Sequence, residues 1–303
     1  MDNWLTSEEE PGASLLRQAW AWHSWYPRWL PARVGHKIRR WSLGRYSQPV
    51  LCRLTTGQHF LICPNDLLEC EIGVTGEWEG LIYRALQPLV TQGSTVIDVG
   101  AHVGYSTILF ADWVGPSGKV HCFEPIPSHV CQIEQNLALN GYQDRVGVYK
   151  FAVSDRLGSA DFHYDTTQNT GMGSLIPRRT QRHKIRVETI ALDHWVQTNG
   201  LIDIGLIKID IEGAEALALR GMANGLYQHQ YRILLIELHP FELQKLGSST
   251  SEILCQLNAY GYRLMYWDPQ GWFRTTSPPN SFSYVLALSP KVLCTQDVLY
   301  PRP

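Results

Sequence analysis

Acidic and basic side chains recur at one kind of place in this chain of 303 residues, just at the ends of short apolar runs. Asp98 sits in Val96-Ile97-Asp98-Val99, Glu124 follows Lys119 to Phe123, and Asp155 follows Val146 to Val153. Asp210 and Glu212 follow Gly205 to Ile209, while Glu237 and His239 close the run from Arg232 to Leu238. Carboxylates accept hydrogen bonds from hydroxyls and ammonium groups, and a histidine takes up a proton near neutral pH. Together these groups could hold a polar, partly cationic ligand and withdraw a proton from a second one, with His239 as the base. Asp210, Glu212 and Glu237 also offer the oxygen ligands that a hard ion such as Mg²⁺ prefers. Lys208 would need a strong downward pKa shift to act as a base. Its other reading is an ion pair with Asp210 or a neighbouring acid.

Positioning these groups requires strands that all end on one side. Apolar runs alternate with helical patterns, the rhythm of a doubly wound α/β domain, in which ligands bind beyond the carboxyl ends of parallel strands. The first such strand feeds a turn with G-x-x-x-G spacing, Gly100 to Gly104, and a helical pattern from Val103 to Val114. Gly100 and Gly104 let backbone approach a ligand where a Cβ would clash. A dinucleotide site instead carries G-x-G-x-x-G and a bare helix N-terminus facing a pyrophosphate. An acid beside the glycines suits a ligand with positive charge, and S-adenosylmethionine (SAM) has an ammonium, a sulfonium and no phosphate. Glu124, at the mouth of the crevice, could accept both hydroxyls of a ribose. Asp155 could accept from an adenine amino group or cap a turn. Asn169-Thr170-Gly171-Met172-Gly173-Ser174 is a glycine-rich loop long enough to be functional. Tyr262 to Trp267 and Ser283 to Leu288 close the sheet as an antiparallel pair.

Residues 1–48 form a Trp-rich extension, with Arg28, Arg33, Lys37, Arg39 and Arg40 after the aromatics. They read either as helices packed on the core or as a basic-aromatic segment resting on a membrane surface. Residues 49–92 read as a hairpin, Pro49 to Cys63, and a helix, Trp78 to Val90, capped by Thr75 or Gly76. The catalytic core is expected over 93–290 and a tail over 291–303. Hydrophobic residues make up 44% and charged residues 18%, enough apolar material for a sizeable core. A net charge of −2 gives no general attraction to nucleic acid. Seven cysteines without C-x-x-C spacing argue for reduced thiols and a cytoplasmic location. No signal peptide is read at the N-terminus, and no apolar run is long enough to span a membrane. Trp267, Trp272 and Phe273 suit either a ring-stacking surface or core packing. Nothing in the pattern sets an oligomeric state.

Several of these stretches share one resemblance. Ile97-Asp98-Val99-Gly100-Ala101-His102-Val103-Gly104-Tyr105-Ser106-Thr107, Phe123-Glu124-Pro125 and Ala152-Val153-Ser154-Asp155 resemble class I SAM-dependent methyltransferases. Within that class, Ile207-Lys208-Ile209-Asp210-Ile211-Glu212-Gly213-Ala214-Glu215, Leu219-Arg220-Gly221 and Ile236-Glu237-Leu238-His239 resemble the FkbM family. The resemblance runs over residues 70 to 270. His102 stands where the family usually has Asn, and Gly173 where Ser is common. It implies a Rossmann-like, doubly wound seven-stranded sheet and methyl transfer from SAM, mostly to a hydroxyl of a sugar, polyketide or other metabolite. It also implies site roles. Gly100, His102 and Gly104, with Tyr105 and Ser106 beside them, line the methionine end of the cofactor. Asp98 orients that end, Glu124 and its neighbour Pro125 hold the ribose, and Ser154 and Asp155 sit by the adenine. Asp210 and Glu212 face the substrate from the cofactor's edge, with Gly173, Ser174 and Glu237 on the substrate side. N- or C-methylation of a metabolite or peptide, and a non-catalytic binding protein that kept the fold, are the alternatives.

Overall fold

Alternation of Val50, Cys52 and Leu54 before a Thr-Thr-Gly turn produces the expected hairpin in a computed structural model of the chain. Strand β1 (Val50–Arg53) pairs antiparallel with β2 (His59–Ile62), Val50 opposite Ile62 and Arg53 opposite His59. The structure describes residues 48–165, 171, 173–176, 183–268, 273–275 and 283–292, together with 40, 43, 45 and 46. The tryptophans of the N-terminal extension, Asn169, Thr170, Met172, Trp272 and the tail after Val292 lie outside the described residues.

A helix not expected from the sequence follows the hairpin, α1 (Leu67–Thr75). The Asp66 side chain caps it by accepting from the Glu69 N–H, and Gly76 ends it at φ 78°. Gly76 therefore terminates this helix rather than starting the next, because only glycine takes a left-handed C-cap without steric cost. The chain divides between Trp78 and Glu79 into two compact units. Within the second, the helix expected from Trp78 begins only at Gly80, as α2 (Gly80–Leu86), since Glu79 is itself left-handed at φ 50°. Pro88 lies in the 3₁₀ turn Gln87–Leu89 that follows.

The site rests on the large sheet. Its parallel members are β3 (Thr95–Val99), β4 (Lys119–Phe123), β5 (Val146–Tyr149), β9 (Ile204–Ile209) and β10 (Tyr231–Leu238). β13 (Ser283–Leu288) runs antiparallel between β10 and β11 (Arg263–Trp267), and β12 (Phe273–Arg274) adds a two-residue edge. The spatial order is β12-β11-β13-β10-β9-β3-β4-β5, so β3 is the strand at which the order reverses. Seven strands are those expected. Ile97, Val99, Phe123, Ile207, Ile209, Leu234 and Ile236 lie in its main core. Each such side chain contributes about 1.5–3 kcal/mol by leaving water.

One expected strand is two. The run from Val146 to Val153 pairs with β4 only as far as Phe123 opposite Tyr149, where β4 ends. Beyond exposed Lys150 the chain starts β6 (Phe151–Ser154), which joins a separate three-stranded sheet with β8 (His183–Ala191) and β7 (Gly158–Tyr164). The connecting helices are α3 (Tyr105–Val114), α4 (Pro127–Asn140), α5 (Leu192–Thr198), α6 (Glu215–Arg220), α7 (Ala223–Tyr227), α8 (Pro240–Lys245) and α9 (Thr250–Ala259). Among the described residues no helix is long and apolar enough to cross a membrane.

Candidate active site

The glycine turn after β3 is held from inside. Asp98 is wholly buried, and its Oδ2 accepts from Ser106 Oγ at 2.7 Å and Thr107 Oγ1 at 2.6 Å. Asp98 thus ties the first turn of α3 to the strand. Gly100, His102 and Gly104 all have positive φ, at 82°, 50° and 90°. Histidine is among the residues that tolerate this region, as Asn does. A Cβ on Gly100 would lie 1.8 Å from the Asp210 carbonyl oxygen, and one on Gly104 3.1 Å from Ile133 Cγ1. The close approach that requires Gly100 is therefore made by the chain's own β9 end.

Four of the N–H groups of this turn are engaged. Gly100 and Ala101 donate to the Phe123 carbonyl at 3.0 and 3.2 Å, Gly104 donates to the Ala101 carbonyl at 2.8 Å, and His102 donates to Glu124 Oε2 at 2.9 Å. No pyrophosphate cradle is built here. Glu124, buried at the end of β4, also accepts from the Ile126 N–H at 2.9 Å, and His129 Nδ1 lies 3.4 Å from its Oε1. These bonds fix the carboxylate while leaving lone pairs for hydroxyls. Burial holds the His102 imidazole well below its usual range, with His129, edge-on at 4.4 Å, adding to the effect. Tyr105 is buried and packs edge-on against Tyr83, 5.5 Å between ring centroids. Pro125 is partly buried next to Glu124. Ser154 Oγ donates to Asp155 Oδ1 at 3.3 Å at the end of β6, beside the main sheet.

A second cluster lies at the ends of β9 and β10. Lys208 Nζ is 3.0 Å from Asp210 Oδ2 and 3.9 Å from Asp98 Oδ1, inside the protein. Burial alone would lower the Lys208 pKa, but Asp210 and its other neighbours outweigh burial and raise it well above the ordinary value. That shift runs opposite to what a base needs, so Lys208 is a fixed cation. Burial would likewise raise Asp210, yet Lys208 and His239 keep it below the usual carboxylate range. His239 places Nε2 at 3.7 Å from Asp210 Oδ1 and 3.8 Å from Glu237 Oε1, and Nδ1 at 3.5 Å from Glu212 Oε2. Burial disfavours its proton, but Asp210 and Glu212 overcome this and raise its pKa.

Glu212 has φ 56° and Gly213 φ 104°, and a Cβ on Gly213 would strike Glu242 Cβ at 2.4 Å. A left-handed non-glycine residue costs of order 1–3 kcal/mol and persists only where neighbours hold it. Ser174, wholly buried, supplies one such hold by donating from Oγ to the Glu212 carbonyl at 2.9 Å. Gly173 is needed beside it, because a Cβ there would meet Phe162 Cε1 at 2.7 Å. Asp210, Glu212 and His239 each offer a ligand atom within 4.8 Å of the others, and form the one such cluster among the described residues. Glu237, expected in that set, is engaged elsewhere. Burial pushes its carboxyl well above the usual range, Asp210 and Glu79 add to this, and Tyr284 Oη lies 2.6 Å from its Oε2.

Two residues here were missed in the sequence. Tyr284 stands directly opposite Glu237 in the β10–β13 pairing, so an antiparallel register would have found it. Its hydroxyl is also hydrogen-bonded to Glu79, the left-handed residue before α2. Nothing in the local sequence marks Glu79.

A parallel sheet that reverses order at β3, with acids at its carboxyl ends and no phosphate cradle in its glycine turn, defines a class I SAM-dependent methyltransferase fold. The donor set fits that cofactor, since Glu124 suits ribose hydroxyls and the acids suit an ammonium. Residues 98–264 match the methyltransferase FkbM domain, and the chain belongs to that family. It is similar to a 2-O-methyltransferase, NoeI, from Sinorhizobium fredii, at 31% identity over 157 residues, 46% of this chain and 62% of that protein. The 31-O-demethyl-FK506 methyltransferase FkbM of Streptomyces tacrolimicus is 24% identical over 201 residues, 57% of this chain and 74% of that one. Among solved structures, a SAM-dependent O-methyltransferase from Thermotoga maritima aligns with a TM-score of 0.42 at 15% identity, covering 79% of this chain and 77% of that chain.

Proposed function

We propose that the chain transfers a methyl group from SAM to a hydroxyl of a small metabolite, sugar or glycan. The observation that carries this reading is His239, buried at the end of β10 and flanked by Asp210 and Glu212. When bound, SAM supplies a methyl group already activated on a sulfonium. What the chain must add is alignment and a proton acceptor. Glu124 holds the ribose, Ser154 and Asp155 lie toward the adenine, and the turn from Gly100 to Gly104 bounds the methionine end. On the acceptor side, we assign Glu212, Glu237, Gly173 and Ser174 to the substrate. Orientation of reactants can supply up to about 7–11 kcal/mol in favourable cases. His239 takes the hydroxyl proton, and its raised pKa makes it a stronger base once neutral. The rate should therefore rise with pH as His239 loses its proton.

The names of two relatives favour oxygen as the acceptor atom. A second reading puts a divalent ion on Asp210, Glu212 and His239, favoured by the convergence of their ligand atoms. Both are tested by assaying SAM turnover against a panel of methyl glycosides with free secondary hydroxyls. His239→Ala should lower kcat by about 10²–10⁴ while calorimetric SAM affinity stays near wild type. Full activity in His239→Ala would refute the base. Loss of activity with EDTA, restored by Mg²⁺, would support the metal instead.

A further inference from the structure

Every polar group of Ser174 is engaged inside the protein, where the residue is wholly buried. Its N–H donates to the His163 carbonyl at 2.9 Å, and its own carbonyl accepts from the His163 N–H at 2.8 Å. The hydroxyl oxygen accepts from the Ile176 N–H at 3.1 Å. A hydroxyl has one hydrogen to give, and that of Ser174 goes to the Glu212 carbonyl at 2.9 Å. Ser174 therefore serves the acceptor without touching it.

The neighbours of Ser174 reach in two directions. A Cβ on Gly173 would lie 3.2 Å from Ile126 Cδ1, and Leu175 packs against the small core of Ile126, Ala152, Phe162 and Val187. Ile126 supplies an N–H to Glu124, so this end meets the cofactor half. Ile176 is buried, and a Cβ on Gly213 would lie 2.7 Å from its Cδ1, so the other end meets the acceptor half. The bridge to His163 fixes both ends on β7, the outer strand of the three-stranded sheet whose β6 ends in Ser154. We propose that residues 173–176 are a strap that clamps the Glu212 turn to the cofactor half, with Ser174 as the positioning residue through which Glu212 holds the acceptor. This rests on the methyltransferase reading above.

Glu212 is the residue on which a clamp acts most. Its backbone is left-handed, and a non-glycine residue leaves that region once its neighbours let go. The carbonyl that Ser174 grips belongs to the same peptide unit as the Gly213 N–H, which donates to Glu215 Oε1 at 2.9 Å. One peptide plane is thus held at both ends, by the strap at its oxygen and by α6 at its nitrogen. That double hold fixes ψ of Glu212 and φ of Gly213, and with them the direction in which the Glu212 side chain leaves the backbone. Gly213 has little room to take up a change, because Glu242 and Ile176 close on it from two sides. Without the Ser174 hydroxyl the plane is held by its N–H alone and can tilt, carrying the partly exposed Glu212 carboxylate away from the acceptor.

The first readout uses the protein alone. Amide hydrogen exchange at Gly213 reports the peptide that the strap grips. It should quicken about tenfold in Ser174→Ala, while the turn from Gly100 to Gly104 keeps its wild-type exchange. The second readout is steady-state kinetics with the methyl glycoside panel. Ser174→Ala should raise the acceptor KM about tenfold, with kcat and calorimetric SAM affinity near wild type. Ser174→Thr keeps the hydroxyl but crowds a filled site, so it should lower the melting temperature and yet keep the wild-type KM. If that variant does not fold, Ser174→Cys replaces it, and its weak S–H donor should give an intermediate KM. A KM that follows melting rather than the hydroxyl, or Gly213 exchange unmoved in Ser174→Ala, would overturn the strap. Absence of methyl transfer in the wild type would refute the methyltransferase reading instead, and Gly213 exchange would still decide whether the strap grips its turn.

Discussion

The two halves of the site handle charge differently. At the ends of β3 and β4, Asp98 and Glu124 are held by hydrogen bonds from hydroxyls and backbone N–H groups. At the ends of β9 and β10, Asp210 and His239 are held by one another, by Lys208 and by the Glu212 carboxylate, while Glu237 is hydrogen-bonded to Tyr284. Neutral donors fix a carboxylate's position and leave its charge for a ligand. Mutual contact among titrating groups leaves the position of protons variable. The first arrangement suits holding a cofactor, and the second suits moving a proton.

Lys208→Met should separate the halves most sharply. It removes the cation between Asp98 and Asp210, and breaking a buried pair costs about 3–5 kcal/mol. Urea denaturation measures the loss. A cost below about 1 kcal/mol would mean that the pair is solvated and the second half is not a charge-packed cluster.

Glu215 gives a smaller effect with a definite sign. Its Oε1 accepts from the Gly213 N–H at 2.9 Å, and burial pushes its carboxyl up to about 7. The unfolded value is about 4.3. The fold prefers the protonated form, so this contribution to stability is full below about 4.3 and is lost as pH rises through about 7. At about 1.4 kcal/mol per pKa unit, wild type should lose up to about 4 kcal/mol over that window from this group. Glu215→Gln should flatten the decline in denaturation midpoints, and an unchanged slope would show that Glu215 does not carry it.

Glu124→Gln should cost the fold least. The amide keeps the shape of the carboxylate, but its NH₂ then faces one of the two backbone N–H groups from which Glu124 accepts. Stability should fall by about 1–3 kcal/mol, and SAM affinity by about tenfold in calorimetry. A large loss of stability would show that Glu124 is as structurally committed as Lys208, and the contrast would fail.

The same contrast governs what the sequence disclosed. Asp98, Glu124, Asp210, Glu212 and His239 were legible because each ends or follows an apolar run, and strand ends converge in a parallel sheet. The expected resemblance to the FkbM family stands, and the seven expected strands are present in a sheet that β12 extends to eight. Glu79 and Tyr284 were not legible, because their meeting depends on a left-handed residue before α2 and on the register of β13. The division of Val146 to Val153 was hidden for a related reason. Local pattern shows that a segment is extended, but where β4 ends decides how long β5 can stay paired. Gly100 was identified as a close approach, although the backbone it meets is that of Asp210.

β13 is the last described strand, yet it lies between β10 and β11, which both precede it in the chain. During synthesis from the ribosome, β11 therefore emerges before the strand that will join it to the sheet. Until β13 inserts, β10 presents an open edge and Glu237 lacks its phenol. Slow pairing of distant segments is the usual outcome of such an order. A chain halted before Ser283 would therefore lack both the strand that joins β11 to β10 and the phenol that meets Glu237.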